Sequence, residues 1–145
     1  MKKIFFIILI SFSVQFLFSE DGSLETIGIL GGQNVYFIHI STGLLADGFY
    51  AGIFDRDYVI SMCRDMASSA RRSKNSLQKL LDDRAIKEKE LQSTKDMVEG
   101  YNVVIDEINA LIGSAEILNE ETRSQFYRYK SKAYEKIQNV LGLDE

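Results

Sequence analysis

From Val59 to Val140 apolar side chains return every three or four residues, and no proline interrupts them anywhere in the 145-residue chain. That recurrence gathers side chains on one side of an α-helix, and proline is the residue that most reliably breaks one. The chain is thereby directed toward long helices joined by short turns.

Val59, Met62, Met66, Ser69, Ser73, Ser76 and Leu80 define the first of these helices, predicted over 57–82, with Asp55 or Asp57 accepting from the free amides of its first turn. Its middle carries serine and alanine where a core stripe usually carries leucine, a composition that lets a neighbouring helix come close. Asp82-Asp83-Arg84 marks the turn. Met97, Tyr101, Val104, Ile108, Leu111 and Ala115 define the next helix, predicted over 86–113, and Ile105 and Ile112 widen its buried stripe. Lys87, Glu88, Lys89, Glu90, Lys95, Asp96 and Glu99 form its solvated side, and Gly113-Ser114 ends or bends it. Asn119 then offers a cap for a last helix over 120–141, built on Phe126, Lys130, Ala133, Ile137 and Val140 and stopped at Gly142.

The front of the chain differs in kind. Seven of the ten glycines fall before residue 54, and Asp47 is the only formal charge between Gln33 and Phe54. Val35, Ile38, Thr42, Leu45, Phe49 and Gly52 keep the three-four spacing, which predicts a helix over 33–54. Being apolar nearly all round, it is expected in the middle of the molecule. The rival reading makes 24–30 and 34–41 two strands joined at Gly31-Gly32-Gln33. The helix is preferred because the spacing continues through Leu44-Leu45-Ala46. Gly28-Ile29-Leu30-Gly31-Gly32 lacks the Gly-Lys-Ser/Thr ending of a phosphate loop, so residues 20–32 are read as a flexible linker. The expected architecture is all-α, an up-down four-helix bundle forming a single domain over 33–145.

Ahead of that linker stands Met1-Lys2-Lys3, then an apolar run from Ile4 to Phe18, then Ser19 before Glu20-Asp21. This basic, apolar, small-residue order is the layout of a secretory signal peptide, 1–19, with Ser19 as the cleavage residue. The expected location is periplasmic or extracellular. Retention of the run as a membrane anchor is the competing outcome, although about 15 positions fall short of the roughly 20 of a spanning helix.

The formal charge of −4 argues against nucleic acid, which rewards a basic surface. Cys63 is the single cysteine, so an intramolecular disulfide and a thiolate metal cluster are both ruled out. Beside Met62 and Met66 it is expected to be a small buried core residue. His39 is the single histidine, with no metal-binding partner spacing, and is expected to be a hydrogen-bonded core or edge residue. A catalytic role would need a water-filled cleft joining His39 to a carboxylate such as Asp47 or Asp106. No catalytic residue, cofactor, metal or small-molecule ligand is implied.

Gly48 and Gly52, four apart on an apolar helix, match the close-packing pair of membrane helices, and here they are read as a tight helix crossing. Arg64 and Arg71 share a face of the second helix and are candidates for contact with an acidic partner or a lipid head group, set against plain pairing with neighbouring carboxylates. Tyr129 lies off the core side of the last helix and is the candidate exposed anchor for a protein partner. The functional expectation is a small exported interaction or structural protein without catalytic activity, with a protein partner or self-association. The alternative is a membrane-associated protein with 33–54 in or on the bilayer.

Overall fold

The computed structural model describes residues 23–141, which form four α-helices packed on one another: α1 (Ser23–Tyr50), α2 (Arg56–Asp82), α3 (Glu88–Ile117) and α4 (Glu120–Leu141). No strand occurs among the described residues, so the hairpin over 24–41 does not form. The signal peptide over 1–19, its cleavage at Ser19 and the stop at Gly142 lie outside the described residues.

Three of the four helices sit where the periodicity puts them. Asp55 caps α2, its Oδ1 accepting from the Tyr58 amide at 2.8 Å, and Asn119 caps α4, its Oδ1 accepting from the Thr122 amide at 2.8 Å. The predicted stop at Gly113-Ser114 is overrun by a turn, and α3 ends instead at Leu118, whose backbone is left-handed at φ 49. The Leu118 amide still donates to the Ser114 carbonyl at 2.9 Å, so the helix end is satisfied.

The largest departure is α1. It starts at Ser23, so the described part of the stretch expected as linker (20–32) is helical, through Gly28, Gly31 and Gly32, and it ends at Tyr50 rather than 54. Gly31 has a packing reason. A methyl added at Gly31 would meet the Met97 sulfur at 2.5 Å, so this bare position seats the Met97 side chain of α3 against α1, whereas one at Gly100 would make only ordinary contact with Val35 at 3.4 Å. Gly48 and Gly52 do not form a helix-crossing pair. Gly48 is covered by the Phe54 ring, and Gly52, at φ 72, closes α1 with paired bonds from Gly52 N to Phe49 O (3.0 Å) and Ile53 N to Gly48 O (2.8 Å).

The arrangement is a flattened bundle. α3 packs against each of the other three helices, α1 against α3 most extensively, while α2 and α4 do not meet among the described residues. The α3 stripe is buried as predicted, from Met97 to Ala115. On α2 the buried line runs through Val59, Ile60, Cys63, Met66, Ala67, Ala70 and Leu77, so Ser69 and Ser76 face solvent, while half-buried Ser73 hydrogen-bonds with Tyr101 of α3. Cys63 is a buried free thiol, as expected.

The core has two apolar halves. One gathers Leu45, Val59, Met66, Ile108, Leu111 and Phe126, the other Val35, Leu77, Met97, Val104, Ala133 and Ile137. Between them lies a polar layer of His39, Thr42 and Glu107.

Candidate functional site

Two features stand apart from ordinary bundle packing: the buried polar layer and a set of apolar side chains left on the surface.

In the polar layer, α1 carries His39 inward and α3 carries Glu107 to meet it, Nδ1 to Oε2 at 2.8 Å. Side-chain exposure is 4% for His39 and 0% for Glu107. The His39 ring stacks on Tyr134 of α4 with centroids 5.9 Å apart. Thr42 bonds locally, donating to the Ile38 carbonyl at 2.8 Å. Glu107 Oε1 accepts no hydrogen bond from a described residue. Burial pushes the Glu107 carboxyl above its ordinary range, with the His39 hydrogen bond and then the charges of His39 and Lys130 pulling the other way. The pair joins α1 to α3 and is almost wholly withdrawn from solvent. Cys63, on α2, is pushed up to about 12 by burial and secondarily by the Glu107 charge, which makes it a packing group and a poor nucleophile.

The carboxylates considered for His39 in the sequence, Asp47 and Asp106, are both exposed, and the actual partner is Glu107. The signal for it was present. Glu107 occupies the position between Val104 and Leu111 that faces the core, three residues from one and four from the other. Among the described residues no group of three or more His, Cys, Asp or Glu side chains is arranged to hold a metal ion.

On the surface, the outward side of α1 exposes Leu30 (44%), Phe37 (58%), Ile40 (39%) and Leu44 (64%), with Tyr36 beside them. α1 thus touches all three neighbours on one side, as its apolar composition demands, and keeps an apolar side uncovered, where full burial was expected. A second apolar group lies at one end of the bundle: Ile53 after α1, Ile117 at the end of α3 and Leu118 after it are each more than 60% exposed. The Tyr50 hydroxyl and Ser114 Oγ, 2.6 Å apart, tie the ends of these two helices together, and the Arg123 guanidinium sits 4.5 Å above the Tyr50 ring.

The basic candidates take the plain alternative of pairing with neighbouring helices, and the tyrosines of α4 are placed differently from expectation. Arg64 reaches Glu116 at 3.7 Å and Arg71 donates to Asn109 Oδ1 at 3.3 Å, so both brace α2 against α3 across the exposed edge of that pair. Tyr129 is half-buried in a shallow groove with Gln125, Arg128 and Lys132, and Tyr127 and Tyr134 are the more exposed tyrosines of α4.

No protein-family model matches the chain, no curated protein matches it, and no solved structure matches it. Among the described residues no helix is long and apolar enough to cross a membrane.

Proposed function

We propose that the protein is a small exported interaction or structural module, not a catalyst, and that it works by presenting the outer face of α1 to another helix. The carrying observation is the line Leu30, Phe37, Ile40 and Leu44, spaced by seven, three and four along α1 and exposed from end to end. Apolar side chains scattered over a surface need no explanation, whereas a continuous line of them on one helix is what a partner covers. The arrangement around His39 supports a non-catalytic reading, because a pair sealed between two helices offers a substrate no approach.

The test is cross-linking in intact cells that export the chain. Formaldehyde adducts formed by the wild type are expected to disappear when Phe37 and Leu44 are both replaced by glutamate, with helicity unchanged. Identical adducts from the two proteins would remove the reading. Export is checked by mass spectrometry of the mature protein, whose first residue is expected to be Glu20; an unprocessed Met1 start would replace export by anchoring.

A second reading has one observation in its favour: between Thr26 and Ala46 α1 carries no Asp, Glu, Lys or Arg, so the same face suits the surface of a bilayer. It expects flotation with phosphatidylcholine vesicles that the double variant loses.

A further inference from the structure

We infer that the helix received by the α1 face is amphipathic and acidic along one flank, its carboxylates meeting Arg123 and Lys130 of α4. The inference rests on the reading of α1 as a docking face and names the chemistry of what docks there. α4 runs along one edge of that face. Its Tyr134 ring stacks on His39, next to exposed Ile40, and its Lys130 ammonium lies over Gly43, next to exposed Leu44. Nearer the end of α1 the Arg123 guanidinium covers the Tyr50 ring. The apolar line therefore has a rim of two cations and two exposed tyrosines, Tyr127 and Tyr134, residue types suited to holding a partner around an apolar centre.

Among the described residues neither cation forms an ion pair, whereas Arg64 and Lys136 do. Both sit instead above the Tyr127 ring, 5.9 and 6.0 Å from its centroid. Glu107 feels the Lys130 charge but takes its hydrogen bond from His39. The acid that α1 brings to this edge is Asp47, one turn past Gly43. Between Thr122 and Tyr134, by contrast, α4 carries four cations and no carboxylate, in a chain of net charge −4. The rim is left positive, and complementary charge is what selects a partner around an apolar centre.

The placement favours a helix over a lipid surface. A lysine that meets head groups reaches outward to them. Lys130 is half-buried and folded across α1, where a methyl added at Gly43 would meet its Nζ at 2.9 Å. Arg123 and Lys130 stand seven residues apart, about 10 Å along α4, a spacing that carboxylates two turns apart on a second helix repeat.

Isothermal titration of the full chain, purified in the form the cell leaves it, with two synthetic helices of about 20 residues reads the preference. Both carry leucines at three-four spacing; one has glutamates along a flank and the other lysines in their place. The glutamate helix is expected to bind the wild type about tenfold or more tightly than its twin. Arg123→Gln with Lys130→Gln is expected to remove that preference. Arg128→Gln with Lys132→Gln, the same loss of charge beside Tyr129 on another side of α4, is expected to keep it. If the first double variant loses helicity, Arg123→Gln alone, at an exposed position, is expected to reduce the preference about threefold. Equal binding of the two helices, binding of neither, or a preference lost equally in both double variants would overturn the proposal. Flotation with phosphatidylglycerol vesicles that needs Arg123 and Lys130, with neither helix bound, would put an anionic membrane in the helix's place. Cellular adducts that need Phe37 and Leu44 but survive Arg123→Gln with Lys130→Gln would overturn the acidic flank alone and leave α1 as a docking face. Adducts indifferent to both pairs would remove the docking face itself.

Discussion

His39 and Glu107 form a buried polar contact between α1 and α3. Truncating His39 to alanine leaves a fully buried carboxyl without its one partner and opens a hole beside Tyr134, a combined loss of about 3 kcal/mol, measurable by urea unfolding. Glu107 also gives stability a pH dependence. A carboxyl whose folded-state pKa is raised holds its proton more tightly in the native state, so its contribution is complete below the ordinary value of 4.5 and is lost as pH climbs through the raised one. Glu107→Gln cannot ionise and is expected to gain stability relative to wild type as pH rises from 4.5 toward neutrality; parallel curves for the two proteins would show that Glu107 does not titrate in this range. Cys63, at about 12, is expected to ignore iodoacetamide at pH 8 until the chain is unfolded. At this scale the sequence was half legible: a lone histidine inside Phe37-Ile38-His39-Ile40 announces burial, but its partner lies 68 residues away and periodicity alone marks only that Glu107 faces inward.

Helix α1 begins at Ser23, inside the glycine-bearing stretch that the sequence reads as linker. A glycine costs an isolated helix about 1 kcal/mol, and packing against α3 offsets that cost where Gly31 meets Met97. No local pattern reveals such a contact, since the two sides lie on separate helices. The ends of α2 and α4, by contrast, were readable because Asp55 and Asn119 cap through bonds to residues three positions away. The end of α3 carries its own prediction. Leu118 adopts a left-handed backbone that disfavours a branched side chain and leaves that side chain 64% in water. Leu118→Gly is expected to raise stability by about 0.5–1 kcal/mol, the relief of the left-handed cost less glycine's extra chain entropy, as read by thermal unfolding.

The four helices make a rhombus in section, with α1 and α3 on the short diagonal and α2 and α4 apart on the long one. Helix number and order followed from periodicity, but the flattening depends on which helix pairs touch, and the sequence records that only through glycine and alanine. The same connectivity also sets a pace. The connections span 51–55, 83–87 and 118–119, helices adjacent along the chain lie adjacent in space, and there is no proline to isomerise and no second cysteine to oxidise. The steps that commonly hold refolding to seconds or minutes are therefore missing. Diluted from denaturant, the monomer is expected to regain its helices in one exponential within milliseconds, and a slow stopped-flow phase would speak against this. A chain threaded unfolded across a membrane would then take shape on arrival, with no foldase to wait for.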